Sequence, residues 1–85
     1  MIVSIRNEVY AMIQKIKLMT PQDVEEFVGI TSTFDYDIDL RRGTRYIDAK
    51  SILGVMAVAL KSEADLICQQ NDVKLRTLIS KFAVA

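Results

Sequence analysis

The residues of this chain that could do chemistry are hydroxyls and carboxylates, because its 85 residues include no histidine and a single cysteine. Without an imidazole, Ser-His and Cys-His nucleophilic pairs, histidine-ligated metal sites and phosphate transfer through histidine are excluded. Cys68 has no base to activate it, and a free thiol of this kind behaves most often as a small buried hydrophobe. The composition therefore excludes chemistry that depends on histidine, and we predict a chain that is not an enzyme and has no cofactor.

Two hydroxyls stand where helices are expected to begin. Thr20 is followed by Pro21, which suits the first position of a helix, and Asp23 stands three residues after Thr20, as in a capping box. Ser51 precedes an apolar run over residues 52–60, which is typical of a short helix. Both hydroxyls are thus predicted to accept hydrogen bonds from free backbone N–H groups at a helix start.

Three carboxylates alternate with apolar residues and at first sight indicate a metal loop. Asp35, Asp37 and Asp39 have the spacing of a calcium-binding loop, but such a loop needs glycine at Leu40 and glutamate at Tyr46. The alternation instead predicts a β-strand with one face in water and no metal site. Its aspartates are expected to pair loosely with the arginines that follow, namely Arg41, Arg42 and Arg45.

The periodicity of the whole chain predicts the order β-α-β-β-α-β-α in a single domain over residues 1–85. Strands are expected over 2–18, 34–40, 44–48 and 64–69, with a turn at 41–43. Helices are expected after Thr20, over 52–60 and after Asn71-Asp72, the last with an apolar stripe at Leu75, Leu78, Ile79 and Phe82. The fold class is therefore α+β, a two-layer open-faced sandwich in which three helices cover one face of a four-stranded antiparallel sheet.

The balance of basic and acidic residues limits the classes of partner that the chain is expected to bind. Eleven basic and eleven acidic residues give zero net charge, which argues against non-specific binding to nucleic acid or to an anionic membrane. The longest apolar run, at 52–60, is far shorter than the roughly 20 residues that a membrane-spanning helix needs. A single cysteine suits a reducing compartment, so a cytoplasmic location is predicted.

A resemblance to a known family is carried by the segment Asp48-Ala49-Lys50-Ser51-Ile52-Leu53-Gly54-Val55-Met56. It resembles the regulatory-serine region of HPr, the small phosphocarrier family of the bacterial sugar phosphotransferase system. The likeness continues upstream through Phe27-Val28 and residues 33–38 to Thr20, and downstream to about Gln69. It implies the β-α-β-β-α-β-α fold of that family, which agrees with the order predicted from periodicity.

The chain departs from the family where the first helix begins. HPr proteins carry Gly-Leu-His-Ala-Arg-Pro there, and the histidine accepts phosphate. In this chain Thr20 stands at the place of the histidine and Gln22 at the place of the arginine. A threonine phosphate ester is far more inert than a phosphoramidate, Gln22 offers no charge to a phosphoryl group, and Asp23 would repel one. The resemblance therefore predicts an HPr-like regulatory or adaptor domain that does not transfer phosphate, similar to the catabolite-repression HPr-like proteins.

The resemblance also implies two sites on the helix after residue 51. Ser51 would be a regulatory phosphosite modified by an HPr kinase, and Ile52, Leu53 and Met56 would bind a protein partner such as a transcriptional regulator. Ser51 could instead only cap the helix, and the helix could instead bury a core stripe of Ile52, Val55, Met56 and Ala59 with nothing protruding. Two other functions stay open: a phosphocarrier with an unconventional acceptor such as Thr20, and a purely structural oligomerisation module.

The N-terminal strand carries about five residues more than the resemblance accounts for, Met1 to Ile5. The first strand of the family's sheet lies at an edge, where unpaired backbone groups can pair with another chain. A homodimer through this N-terminal edge strand is therefore one prediction. The alternatives are a frayed terminus and a strand that continues along its neighbour.

Overall fold

The computed structural model describes residues 3–5 and 8–84, and within them it has six strands, three α-helices and a 3-10 turn. The strands are β1 (Val3–Ile5), β2 (Glu8–Tyr10), β3 (Met12–Lys17), β4 (Ile38–Arg42), β5 (Arg45–Asp48) and β6 (Glu63–Cys68). The helices are α1 (Pro21–Thr31), α2 (Ile52–Ala59) and α3 (Val73–Leu78), and the 3-10 turn is Ser80–Phe82.

The main sheet has four antiparallel strands in the order β3-β6-β4-β5. From β3 to α3 the chain runs β-α-β-β-α-β-α, so the predicted α+β open-faced sandwich is confirmed. Alternate residues of the strands face the helices, as Ile38 and Leu40 of β4 do, and both are fully buried. Phe27 of α1, Val55 of α2 and Leu75 of α3 meet them in one core cluster.

The predicted first strand over residues 2–18 is not a single strand. Within the described residues it divides into β2 and β3 with a bend at Ala11, and β2 pairs with β1 as an antiparallel hairpin. The reason is the length of β6, which ends at Cys68 opposite Met12. The Ala11 N–H still donates to the Cys68 carbonyl at 3.1 Å, but residues before it have passed the end of β6 and pair with β1 instead.

The outer edge of β3 is partly covered by the C-terminal segment. Ile16 forms an antiparallel bridge with Ala83, and the Val84 N–H donates to the Lys15 carbonyl at 2.9 Å. Met1 and Ile2 of the predicted edge extension lie outside the described residues, while the backbone of Val3–Ile5 pairs with β2. Dimerisation through this edge stays a prediction.

The predicted strand over 34–40 begins only at Ile38. The chain leaves α1 through a turn, in which the Phe34 N–H donates to the Thr31 carbonyl at 3.2 Å, and β4 starts where Ile38 meets Cys68, the last residue of β6. At the other end of β4, the turn predicted at 41–43 lies at Gly43 and Thr44, because Gly43 has a φ of +62° and the arginines before it extend the strand.

The last apolar stripe is correct at three of its four positions. Leu75, Ile79 and Phe82 are buried, and the Phe82 ring packs edge-on against Phe27 with ring centroids 6.0 Å apart. Leu78 is 41 % exposed. α3 ends at Leu78 and the chain tightens into the 3-10 turn, so Ile79 and Phe82 reach the core from beyond the end of the helix.

Candidate functional site

Ser51 caps α2 and stays exposed. Its backbone is extended, with φ −97° and ψ 108°, and its Oγ accepts from the Gly54 N–H at 3.3 Å. The first turn of α2 contains no acidic residue, so no carboxylate of this turn offsets the positive end of the helix dipole. A Cβ on Gly54 would lie 3.3 Å from the Ser51 Oγ. Glycine at this position therefore leaves room around the hydroxyl.

The segment before Ser51 is anchored to α1 and to the turn that follows it. Thr31, the last residue of α1, is fully buried, and its Oγ1 donates to the Ala49 carbonyl at 2.8 Å. The Lys50 Nζ donates to the Phe34 carbonyl at 2.6 Å, and the Lys50 N–H donates to the Asp48 carboxylate at 2.9 Å. Sequence reasoning missed Thr31 as a positioning residue, although a threonine on the apolar face of a helix is a signal that its hydroxyl needs a buried partner.

The exposed face of α2 is apolar. Leu53 is 81 % exposed and Ile52 is 41 % exposed, whereas Met56 is half-buried against the core. The inward face of the helix is formed by Val55, Val58 and Ala59. Of the alternative core stripe of Ile52, Val55, Met56 and Ala59, the last three do face the core, but Ile52 and Leu53 protrude, so two of the three residues predicted to bind a partner are accessible.

Thr20 caps α1 in the predicted manner. Its Oγ1 accepts from the Asp23 N–H at 3.0 Å, and Pro21 occupies the first helical position. The Asp23 carboxylate accepts from the Met19 N–H at 3.1 Å, one residue before the donor of a standard capping box. Gln22 is exposed in the first turn. The first turn of this helix thus already holds a carboxylate of its own.

Thr20 and Ser51 lie at opposite ends of α2. Leu18, two residues before Thr20, forms a parallel bridge with Leu60 and accepts from the Lys61 N–H at 2.7 Å, which places the start of α1 beside the last turn of α2. Ser51 caps the first turn of the same helix, and eight residues at 1.5 Å each separate the two ends by about 12 Å. The two hydroxyls therefore do not form one site.

The three aspartates predicted on the water-facing side of a strand lie around a surface cavity of about 550 Å³ beside the end of β6. Asp35 and Asp37 are exposed and Asp39 is half-buried. Among the residues that the structure describes, no three carboxylate or cysteine groups lie close enough together to hold a metal ion. Of the arginines expected to pair with these aspartates, Arg41 forms its ion pair with Asp65 of β6, at 2.7 Å.

Cys68 is a core residue, as predicted. It is 1 % exposed, and its Sγ–H donates to the Gln70 carbonyl at 3.0 Å. Burial raises the pKa of the thiol above its ordinary value, which disfavours the nucleophilic thiolate.

No helix in the described part of the chain combines the length and the apolar character that crossing a membrane requires.

Comparisons with known proteins agree with this fold. A family model described as the PTS HPr component phosphorylation site matches residues 23–76, more than half of the chain. No curated protein matches the chain.

Solved structures of HPr proteins are similar in fold. The crystal structure of HPr-C-His from Thermoanaerobacter tengcongensis superposes with a TM-score of 0.62 and 21% identity, covering 82% of this chain and 85% of that one. The phosphocarrier protein HPr from Bacillus anthracis str. Ames superposes with a TM-score of 0.59 and 21% identity, covering 84% of this chain and 95% of that one. With the fold in common and the family match over residues 23–76, the chain belongs to the HPr family of the sugar phosphotransferase system.

Proposed function

We propose that this HPr-family chain is a regulatory adaptor, not an enzyme and not a phosphocarrier, and that it acts in the cytoplasm. The observation that carries the proposal is the absence of histidine from a chain of this family. The chain has no imidazole to form the labile phosphohistidine from which a phosphocarrier of this family passes phosphate onward.

The start of α1 supports the same conclusion. The Thr20 hydroxyl is engaged with the Asp23 N–H, and the Asp23 carboxylate lies within the first turn, where it would repel a phosphoryl group. A phosphate ester formed at Thr20 would also have a low transfer potential. Phosphate transfer through Thr20 is therefore the weaker alternative.

Ser51 is the proposed regulatory phosphosite. Ser51 is exposed, the hydrogen bond that its Oγ accepts from the Gly54 N–H is long at 3.3 Å, and no acidic residue shares the first turn of α2. A phosphate here would meet the free N–H groups and the positive end of the helix dipole. Phosphorylation of Ser51 would then add negative charge at one end of the exposed face of α2.

That face is the proposed docking surface for a protein partner, such as a transcriptional regulator. Leu53 is 81 % exposed in a small domain that buries most of its other leucines, and Ile52 lies beside it. Exposed apolar side chains on one helix face favour association with a partner that removes them from water.

Two labelling reactions test the proposal. With ATP and an HPr kinase, we expect one phosphate on the wild type and on Thr20→Ala, and none on Ser51→Ala. With phosphoenolpyruvate and the general phosphotransferase of the sugar system, we expect no phosphate on any of the three, neither acid-labile nor acid-stable. Failure of the kinase to label folded wild-type protein would remove the regulatory phosphosite, and phosphate from phosphoenolpyruvate that Thr20→Ala no longer takes up would establish Thr20 as a phosphate acceptor.

A further inference from the structure

The end of α2 farthest from Ser51 carries three cations, Arg42, Arg45 and Lys61, which we name the cationic end. Arg42 and Arg45 lie directly opposite each other on β4 and β5, and all three residues are exposed. Like charges directly opposite each other in a sheet repel. Within the described part of the chain, no carboxylate forms an ion pair with any of the three.

The carboxylates of the adjacent strand β6 are already engaged. Asp65 is paired with Arg41 at 2.7 Å, and Glu63 lies 3.9 Å from Lys15. Two cations of the sheet, Arg41 and Lys15, thus take up the acids of β6, and the described part of the chain offers the cationic end no acidic partner of its own.

The cationic end adjoins the last turn of α2. The Arg42 Nη1 lies 3.5 Å from the Val58 carbonyl oxygen in the last turn of the helix, and Lys61 follows that helix by two residues. Leu53 and Ala57 are both exposed and four residues apart, so they share one face of α2. This face therefore runs from Leu53 toward the helix end that the cations adjoin, without a charged residue within the helix.

We propose that the partner docking on α2 is a protein segment with an apolar face and acidic side chains at one end, and that those acidic side chains lie against Arg42, Arg45 and Lys61. This inference rests on the proposed docking role of α2. Carboxylates would relieve the repulsion between the opposed arginines and orient the partner along the helix, since complementary charge gives specificity and speeds association. A nucleic acid would leave Leu53 in water, and the chain has no net positive charge to attract one.

The test uses two short synthetic amphipathic helices with the same apolar face, one ending in glutamates and the other in lysines. Titration of the 15N-labelled protein should show both peptides perturbing Leu53 and Ala57, with the glutamate peptide bound roughly tenfold more tightly. Only the glutamate peptide should perturb Arg45 and Lys61. Its advantage should shrink at high salt, because exposed charges are screened.

Charge reversal sharpens the test. Arg45→Glu combined with Lys61→Glu should reverse the preference toward the lysine peptide. The matched control, Lys74→Glu combined with Arg76→Glu on α3, changes the net charge equally and should leave the preference unchanged.

Each remaining outcome has its own meaning. Equal binding of the two peptides at α2 would overturn the role of the cationic end and leave the docking helix in place. The absence of any perturbation on α2 would overturn the docking surface itself. Stronger competition at Arg45 and Lys61 from duplex DNA or from anionic lipid vesicles than from the glutamate peptide would overturn the choice of an acidic protein segment.

Discussion

The helices α1 and α2 both begin with a hydroxyl N-cap, but the charges around the two caps differ. Thr20 and Ser51 are both hydroxyl N-caps that accept from the N–H group three residues later, at 3.0 Å and 3.3 Å. At α1 that third residue is Asp23, whose carboxylate binds the Met19 N–H. At α2 it is Gly54, which has no side chain, and the first turn contains no acid.

This difference determines what each helix start can accept. The first turn of α1 holds a carboxylate of its own, whereas the first turn of α2 holds none, and the acid that precedes it, Asp48, accepts from the Lys50 N–H before the cap. A first turn without an acid favours an added negative charge at its N–H groups, and a first turn with an acid disfavours it. The contrast explains in physical terms why Ser51, and not Thr20, is the better candidate for a phosphate.

The largest expected effect concerns what holds the start of α2 in place. Thr31→Val should lower the free energy of unfolding by about 2 kcal/mol, because it leaves the buried Ala49 carbonyl without its hydroxyl partner. Thr33→Val is the matched control, since the Thr33 Oγ1 donates to the Ile30 carbonyl at an exposed position and should cost less than about 0.5 kcal/mol. Urea unfolding measures both. Equal losses in the two variants would show that the start of α2 does not depend on Thr31.

A second change makes the start of α2 resemble that of α1. Gly54→Asp places a carboxylate at the position corresponding to Asp23, and repulsion of roughly 1 kcal/mol from an incoming phosphate should slow labelling of Ser51 by an HPr kinase about fivefold. Gly54→Asn is the control, because it brings the same bulk near the Ser51 Oγ without the charge. If both variants are labelled equally slowly, steric crowding and not charge governs the site.

The fold could be predicted from the sequence more fully than the site. Strand alternation, helix caps and the turn glycine are local signals, and they located the elements of the sandwich from β3 to α3. The hairpin of β1 and β2 could not be found in this way, because it depends on where β6 ends. Likewise, the exposure of Leu53 and the opposition of Arg42 and Arg45 depend on which face each element turns to its neighbours.

A third prediction compares the two caps directly. Thr20→Ala should lower the free energy of unfolding by about 1 kcal/mol and Ser51→Ala by about half as much, because the hydrogen bond of Ser51 is the longer one and lacks a reciprocal carboxylate. Urea unfolding at low salt is the measurement. A greater loss in Ser51→Ala would reverse the ranking of the two helix starts.

The smallest effect concerns α3, whose cap is itself a carboxylate. Asp72 accepts from the Lys74 and Leu75 N–H groups and from the Tyr36 hydroxyl, the last at 2.9 Å. The hydrogen bond from Tyr36 is the largest cause that lowers the pKa of Asp72 below its usual range. Because the folded state prefers the charged form, the stability that this preference contributes is complete above about pH 4. It is lost as the pH falls through the lowered pKa of Asp72.

Tyr36→Phe removes that hydrogen bond and should raise the pKa of Asp72 toward its ordinary value, so that acid destabilisation begins at a higher pH. An NMR titration of the Asp72 carboxyl measures the shift directly. Tyr46→Phe is the control, because Tyr46 interacts with Arg41 and should leave the pKa of Asp72 unchanged. An unchanged pKa in Tyr36→Phe would mean that the backbone N–H groups alone hold the charge. The start of α3 would then depend on its own helix turn, and the contact with Tyr36 would not contribute to the charge at its cap.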